Sequence, residues 1–437
     1  MEKIIILGAG MAGFGAAHHL NENSFESIIC EKLPYYGGMT SSFTKDGFTF
    51  DSGPHISFTK DKKIQDLFAE SVKNEFFTLQ EVGVNNYWKN YWIKHPAQVN
   101  LHNLPVDFVV TILKEFIENK SKEHKNIKNF KEWLYASFGE TFAENFPMKY
   151  GLKFHTTPAE NMSIDWLGPR LYKPELEEVL HGALTSETKD VHYVSHFRYP
   201  KHGGYVSYLN SFKEKAIVNL NHELISLDTV QKTAKFLNGE EYSYDHLISS
   251  VPLPELIPLI KNVPEKVLEA SQKLACSTVV IVNIGVNRSD ISKNVWTYFY
   301  DDDIIFTRLT FPHMQSKNNV PDGCGSIQAE IYFSNKYKPL EKEPEDFIES
   351  TIVDLKKCGM LKENDEVLYK EAVVYPYANV IFDHERKDNL DIVHSYLDGI
   401  GVKYCGRYGE WKYIWTDEAF KSGMNAASKT INEINNI

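Results

Sequence analysis

The sequence lacks the features that mark several broad classes of protein. Its five cysteines form no CxxC pair and no Cys/His metal spacing, so we expect reduced thiols, no metal site and a cytoplasmic location. Acidic residues outnumber basic ones by 59 to 47, the opposite of the basic excess of a nucleic-acid-binding protein. No apolar run reaches the roughly 18 residues that a membrane-spanning helix needs. The composition therefore favours a soluble protein without a metal, a nucleic-acid partner or a membrane span.

The motifs of several enzyme classes are also missing. The chain contains no G-x-S-x-G, no H-E-x-x-H and no two-carboxylate signature, so no side-chain nucleophile or metalloprotease site is indicated. Of its 437 residues 42% are apolar and 13% aromatic, which is enough for two or three domains with cores of their own.

The first 31 residues carry a dinucleotide-binding motif in its structural context. A β-branched run at 3–7 leads into GAGMAG at 8–13, a helical pattern follows, and a second strand at 27–30 ends at Glu31. In such a unit the glycines permit a tight turn close to a pyrophosphate, the helix N-terminus attracts the anion, and the acid binds ribose hydroxyls. We therefore predict that the dinucleotide is bound by Gly8, Gly10, Met11, Ala12, Gly13, Glu31 and Lys32.

The two segments after Glu31 indicate which dinucleotide is bound. LPYYGGMTSSF at 33–43 lets the chain fold back over the dinucleotide and presents hydroxyls, and DGFTFDSGPHISF at 46–58 has the pattern of a strand and a Gly-Pro turn. Both segments resemble the FAD family of amine oxidases, protoporphyrinogen oxidase-like proteins and UDP-galactopyranose mutases, which implies FAD as the cofactor. Further FAD contacts are expected at Gly38, Met39, Thr40 and Ser41.

Four later blocks resemble one branch of that family, the eukaryotic-type UDP-galactopyranose mutases. They are YWIKHPAQVNLHNLP at 91–105, the segment 129–171 with its W-L-G-x-R element, FRYPKHGG at 197–204 and GRYGEWKY at 406–413. Two motifs depart from the family pattern, which usually reads GGH where this chain has GPH at 53–55 and Q-D-H where it has WTDE at 415–418. The sugar substrate is therefore left open.

The resemblance and the local patterns together predict an α/β fold. It consists of a FAD-binding Rossmann-like domain of the GR2 type, a helical insert and an antiparallel-sheet substrate domain. The FAD-binding domain is expected in three parts at 1–95, 196–270 and 366–437, with the insert at 96–195 and the sheet domain at 271–365. Within the insert, one helical stripe is predicted from the spacing of Val106, Val109, Leu113, Phe116 and Ile117.

The resemblance also implies roles for individual residues. Arg170 in the W-L-G-P-R element and Arg308 in FTRLTF match family arginines that contact a substrate diphosphate. Tyr413 and Tyr375 resemble tyrosines that donate hydroxyls to the phosphates, with Tyr377 as the alternative to Tyr375. The implied catalytic set is Arg170, Arg308, Tyr413, Tyr375 and His55, the last beside the isoalloxazine ring. The closing FAD motif adds Gly406, Arg407 and Asp417.

The implied activity is a nucleotide-sugar mutase, a flavin-dependent intramolecular transferase of surface polysaccharide or glycoconjugate biosynthesis. Reduced flavin would act as the nucleophile through N5 at the sugar C1, and the protein would position the substrate and neutralise its charge. NAD(P)H or an external reductase would supply the electrons, because no second dinucleotide motif is evident. The alternatives are a FAD-dependent oxidase or dehydrogenase of the same superfamily and a non-catalytic flavoprotein. No oligomeric state is predicted.

Overall fold

The computed structural model describes residues 2–80, 82–168, 171–188, 191, 194 and 196–435. Its strands are β1 (Ile4–Leu7), β2 (Ser27–Cys30), β3 (Ser42–Lys45), β4 (Phe48–Asp51), β5 (Phe76–Leu79), β6 (Val84–Trp88), β7 (Tyr91–Lys94), β8 (Phe197–Pro200), β9 (Ile217–Asn219), β10 (Leu224–Asp228), β11 (Thr233–Phe236), β12 (Glu241–Ser243), β13 (His246–Ser249), β14 (Ser277–Val286), β15 (Trp296–Phe299), β16 (Arg308–Thr310), β17 (Gly325–Ser334), β18 (Val367–Tyr375) and β19 (Lys403–Tyr404). Its helices are α1 (Met11–Glu22), α2 (Lys62–Ser71), α3 (Val106–Lys120), α4 (Phe130–Phe138), α5 (Glu140–Asn145), α6 (Pro147–His155), α7 (Leu176–Leu184), α8 (Asn210–Lys215), α9 (Leu253–Leu256), α10 (Glu265–Gln272), α11 (Pro312–Gln315), α12 (Asp346–Lys357), α13 (Arg386–Gly399), α14 (Gly406–Gly409) and α15 (Thr416–Asn435).

A five-stranded parallel sheet forms the dinucleotide-binding part of the fold. Its order is β19-β13-β1-β2-β9, so segments that are far apart in the sequence lie side by side. β1 is central and buried along its whole length, as expected of a parallel strand covered on both faces. The predicted βαβ unit is confirmed by β1, α1 and β2.

The fold contains a second, larger sheet of seven strands, in the order β18-β14-β17-β16-β15-β6-β7. Its neighbouring strands are antiparallel except β15 and β6, which are parallel. Alternate residues of a strand face opposite sides. One side is apolar and packs with α12 in a common core. The other side carries polar side chains that belong to the candidate site.

The seven-stranded sheet extends beyond the predicted bounds of 271–365. β6 and β7 were predicted in the first FAD-binding part, and β18 was predicted in the third. β6 instead pairs with β15 and β18 pairs with β14. These pairings join segments that are far apart in the chain, so local patterns do not show them.

The helical insert contains α3 to α7 around a core of its own, which also includes residues of β6 and β7. The buried residues of α3 are Val109, Ile112 and Phe116. The predicted stripe is wrong at both ends, because Val106 is 76% exposed and Ile117 is 47% exposed. The apolar face of α3 covers slightly more than half of its circumference, so the spacing alone does not select the part that packs inward.

No helix within the described ranges is long and apolar enough to cross a membrane.

Helices α1 and α15 cross at a distance that only glycine permits. A Cβ on Gly15 would lie 2.0 Å from the carbonyl oxygen of Phe420, and a Cβ on Gly423 would lie 1.8 Å from that of Ala12. Both clashes are with backbone atoms, which cannot rotate away. The first and last long helices of the described chain are therefore held together by backbone contact.

We predict that Gly15→Ala lowers the free energy of unfolding by about 1–3 kcal/mol, because the added methyl must push α15 away. Chemical denaturation of the flavin-bound protein measures the change. Gly399→Ala is the matched control: a Cβ there meets no heavy atom within 4 Å, so its effect is expected between zero and a gain of about 1 kcal/mol. Equal stability of the two variants would contradict the proposed clash.

Candidate active site

The turn between β1 and α1 has room for a dinucleotide phosphate. Gly8 adopts a φ of +98°, and a Cβ on Gly13 would lie 1.9 Å from the Gly8 carbonyl oxygen. A Cβ on Gly10, in contrast, would have no neighbour closer than 3.9 Å. Space therefore remains beside the first N–H groups of α1, which attract anions because they lack partners within the helix.

The acid that follows β2 lies at this turn. Glu31 is 6% exposed, and its carboxylate accepts hydrogen bonds from the N–H groups of Ala9 at 2.8 Å and Leu33 at 3.0 Å. Lys32 differs, because its ammonium group forms an ion pair with Glu255 at 2.9 Å on the surface. Lys32 is thus bound to an acid of α9.

Two further segments close on the same turn. The Gly37 N–H donates to the Ala9 carbonyl at 2.8 Å, which holds the 3₁₀ turn Gly38–Thr40 against it. On the other side, a Cβ on Gly406 would lie 2.8 Å from Cβ of Ala12, and Asp417 lies in the first turn of α15. The predicted FAD contacts Gly38, Met39, Thr40, Ser41, Gly406 and Asp417 lie on these two segments. An open glycine turn, a helix N-terminus and a buried acid fit a dinucleotide of the FAD type.

An ion pair between Arg308 and Glu330 lies in the polar face of the seven-stranded sheet. The two residues are neighbours across β16 and β17, and Nε and Nη2 of Arg308 donate to the two carboxylate oxygens at 2.7 and 2.9 Å. The Arg308 side chain is 21% exposed and that of Glu330 only 2%. Burial acts to lower the pKa of Arg308, but the attraction of Glu330 raises it well above its ordinary value. The guanidinium group is thus charged and fixed in orientation.

Tyrosines surround this ion pair. Tyr298 lies opposite Arg308 across β15 and β16, and the Tyr332 hydroxyl donates to Glu330 at 3.1 Å. The insert contributes Tyr150 and Phe154 of α6, whose rings lie 5.3 Å from Tyr298 and 4.8 Å from Tyr332 respectively. Burial raises the pKa of all three tyrosines. Their hydroxyls therefore stay protonated and can donate hydrogen bonds at neutral pH.

His55 is held in the loop between β4 and α2. Its Nδ1 donates to the Gly53 carbonyl at 2.8 Å, and its own carbonyl accepts a hydrogen bond from Nε2 of Gln315 at 3.1 Å. Burial lowers the pKa of His55 to about 4, and the positive charges of Arg407 and Arg308 act in the same direction. The imidazole is neutral at physiological pH, so with Nδ1 donating, Nε2 is an acceptor.

Arg407 positions Tyr413. Its guanidinium nitrogens donate to the carbonyl of Ile414 at 2.6 and 3.1 Å and to that of Ala378 at 3.0 Å, and the group lies 5.2 Å from the centre of the Tyr413 ring. Tyr413 in turn is close enough to Tyr298 to contribute to raising its pKa. Arg407 and Tyr413 therefore lie next to Tyr298, one of the tyrosines that surround the Arg308–Glu330 pair.

The positions of Tyr375 and Tyr377 distinguish the two alternatives. Tyr375 packs against the cluster that contains Phe154 and Tyr332, in the same cross-strand row as Tyr332, and burial raises its pKa to about 12. Tyr377 packs in a different core, with Tyr408 and Trp411. Tyr375 is therefore the tyrosine on the site face.

A buried aspartate supports the loop that carries His55. Asp51 is 3% exposed and accepts hydrogen bonds from Ser42 Oγ at 2.6 Å, the Tyr199 hydroxyl at 2.8 Å and the Tyr205 N–H at 2.9 Å. Burial raises its pKa to about 6, although these hydrogen bonds lower it. β4 and β8 are joined at this point.

Several site residues were not predicted from the sequence. They are Asp51, Tyr150, Tyr298, Gln315, Glu330 and Tyr332. A signal for two of them exists, because Gln328, Glu330 and Tyr332 alternate with apolar residues in β17. Arg170 lies outside the described residues, and its predicted role stays a prediction.

We predict that His55→Gln reduces the acid sensitivity of folding. Between pH 6.5 and pH 4 the unfolded chain binds a proton at His55 that the folded protein does not, so stability falls as the pH is lowered through this window. Urea unfolding at pH 7 and pH 5 measures the difference between the flavin-bound wild type and the variant. Asp51 titrates in the same range with the opposite sign, but it is present in both proteins and cancels in the difference. Parallel pH dependence in the two proteins would contradict a lowered His55 pKa.

A family model and short stretches of curated proteins match the sequence. The family model of flavin-containing amine oxidoreductases matches residues 11–431. 4,4'-diapolycopene oxygenase of Methylomonas sp. is 36% identical over 91 residues, which are 21% of this chain and 18% of that protein. 4,4'-diapophytoene desaturase (4,4'-diaponeurosporene-forming) of Staphylococcus aureus strain Newman is 40% identical over 72 residues, 16% and 14% of the two chains. Each match spans less than a fifth of the relative's length.

Solved structures match over the whole chain. The crystal structure of a reduced UDP-galactopyranose mutase is 28% identical, with a TM-score of 0.92 over 99% of this chain and 96% of that one. A candidate protoporphyrinogen oxidase from Exiguobacterium sp. is 14% identical, with a TM-score of 0.77 over 99% of both chains, and shares the fold alone. The expected α/β architecture and the FAD cofactor are thereby confirmed. The protein belongs to the family of flavin-containing amine oxidoreductases.

Proposed function

We propose that the protein is a FAD-dependent nucleotide-sugar mutase that interconverts the pyranose and furanose forms of a UDP-linked hexose. The observation that carries the proposal is the buried Arg308–Glu330 pair, set among tyrosines on the face of the sheet that the helical insert covers. A diphosphate needs a fixed cation and hydroxyl donors, and these are what this face offers.

The geometry of the pair suits recognition of an anion. Glu330 binds one edge of the guanidinium through two hydrogen bonds and so fixes its plane. The remaining guanidinium nitrogen, Nη1, takes no part in the two hydrogen bonds to Glu330 and can donate to a phosphate oxygen.

Neutral hydroxyls complete the substrate site. Tyr150, Tyr298 and Tyr332 are protonated at neutral pH because burial raises their pKa values. In the proposed reaction they donate to phosphate oxygens or sugar hydroxyls, and Tyr375 and Tyr413 add two donors at the edge of the same cluster. Reduced FAD supplies, when bound, a nucleophilic nitrogen for the anomeric carbon. The chain itself binds the diphosphate, orients the sugar and excludes water.

The match to the reduced UDP-galactopyranose mutase supports this proposal, because it extends over 99% of the chain at 28% identity. The matches to the carotenoid oxygenase and desaturase favour a second candidate, a flavin oxidoreductase acting on an apolar substrate. Those matches cover no more than 21% of this chain. We give them less weight for that reason.

The conditions of the reaction are also proposals. NAD(P)H or a separate reductase would reduce the flavin, and the product would enter surface polysaccharide or glycoconjugate biosynthesis in the cytoplasm.

The test is an anaerobic assay. The purified protein is reduced with dithionite and mixed with a panel of nucleotide-linked hexopyranoses, the products are separated by chromatography, and the flavin spectrum is recorded. A furanose product with the flavin still reduced supports the mutase and names the substrate. The mutase proposal is rejected in favour of a flavin oxidoreductase if no nucleotide sugar is converted or changes the spectrum, while an apolar compound bleaches the oxidised flavin.

We predict that Arg308→Ala abolishes nucleotide-sugar binding and that Arg308→Lys lowers kcat/KM by about 10²–10³-fold, since lysine keeps the charge but not the fork. Both are measured in the anaerobic assay and by substrate titration of the flavin spectrum. Arg288→Lys is the matched control, because Arg288 forms a similar pair with Asp365 at 2.7 Å on a different part of the molecule. Its activity is expected to stay near that of the wild type. Unchanged binding by Arg308→Ala would remove Arg308 from the substrate site.

A further inference from the structure

A cavity of about 320 Å³ lies next to the His55 loop. Its walls include Ser57 and Thr59 of that loop, Thr78 of β5, and Arg198 of β8. The loop and β8 are tied together by two backbone hydrogen bonds, Ser57 N–H to the Arg198 carbonyl at 3.1 Å and Arg198 N–H to the Ser57 carbonyl at 2.7 Å. The cavity, called here the Arg198 pocket, is therefore built on fixed backbone and is large enough for a small ligand.

Arg198 differs from the other arginines that the structure describes. Its guanidinium group lies over the Phe76 ring at 4.7 Å, and within the described residues it has no carboxylate or carbonyl partner. The others are each bound to a carboxylate or a backbone carbonyl; they are Arg288, Arg308, Arg386 and Arg407. The chain has 59 acidic residues, so a guanidinium group without an acidic partner requires an explanation.

The other groups that line the pocket favour an anion beside the Arg198 guanidinium. Hydroxyl groups come from Ser57, Thr59 and Thr78, and none of the described residues that line it is acidic. Asp61 follows shortly after Thr59, but its carboxylate caps α2 and pairs with Lys421 at 2.7 Å. A guanidinium fork together with hydroxyl donors is the arrangement that binds phosphate oxygens.

The pocket also adjoins the flavin-binding end of the fold. Phe58, which lines it, packs edge-on against Trp415 at a centroid distance of 4.8 Å, immediately before α15 begins. The pocket and the site at Arg308 share no residue.

We propose that the Arg198 pocket binds a phosphate group, at a site separate from the proposed substrate site. The phosphate could come from two sources, inorganic phosphate or the phosphate of a pyridine nucleotide that reduces the flavin. The inference depends on neither nucleotide-sugar binding nor the mutase reaction.

The first experiment uses inorganic phosphate and the flavin-bound protein. Binding is followed by tryptophan fluorescence, to which Trp415 contributes, and by broadening of the ³¹P resonance. We expect saturable binding in the wild type, weakened roughly tenfold or more in Arg198→Met, which removes the charge but keeps an unbranched chain over Phe76. Thr78→Val removes one exposed hydroxyl and is expected to weaken phosphate binding several-fold. It provides the test if Arg198→Met does not fold. Flavin content reports folding of each variant.

Lys370→Met is the matched control, because it removes the same charge from an exposed ion pair with Glu349 on the seven-stranded sheet. It is expected to bind phosphate like the wild type. The proposal is overturned if the wild type shows no saturable binding at tens of millimolar phosphate, or if Arg198→Met and Thr78→Val bind as the wild type does.

The second experiment distinguishes the two sources. Anaerobic flavin reduction by NADPH and by NADH is measured with and without inorganic phosphate. If the nucleotide is the source, phosphate competes with NADPH and Arg198→Met raises the KM for NADPH more than that for NADH. If free phosphate is the source, it binds without changing either reduction rate.

Discussion

The contact between α1 and α15 is the constraint on which the rest of the cofactor site depends. Gly15 and Gly423 bring the two helices to backbone contact, and this fixes the first turn of α15 next to the turn between β1 and α1. Gly406 then meets Ala12 from the same side. Three glycines therefore set how closely the C-terminal segment approaches the opening for a dinucleotide, and any larger side chain at the helix crossing would change its width.

Charge inside the candidate active site is balanced by protein groups rather than by solvent. Arg308 is paired with Glu330, and the neighbouring tyrosines remain neutral because burial raises their pKa values. Burial lowers the pKa of His55 in the same site, and the positive charges of Arg407 and Arg308 act in the same direction. Burial is thus the main cause of the neutral state of these groups.

Local sequence patterns were sufficient for the dinucleotide-binding unit. The strand, glycine turn, helix, strand and acid follow one another within 31 residues, so short-range spacing determines the result. The seven-stranded sheet shows the limit of such patterns, because β6 and β18 join it through partners far away in the chain. In the same way, Arg308 was named from a motif, but Glu330 depends on a cross-strand pairing that spacing does not reveal. The α3 stripe was misplaced because the apolar face of this helix is broad, and residue spacing does not show which part of it is buried.

The strand order of the parallel sheet has a consequence for biosynthesis. β1 lies between strands at 27–30 and 246–249, and the sheet and its covering helix are complete only with residues 403–435. During synthesis the glycine turn leaves the ribosome long before α15, which packs on α1. The apolar faces of β1 and α1 therefore stay exposed to solvent or in other contacts until their partners at 246–249 and 403–435 have been synthesised. Stable FAD binding is for this reason expected only after residues 403–435 have been synthesised.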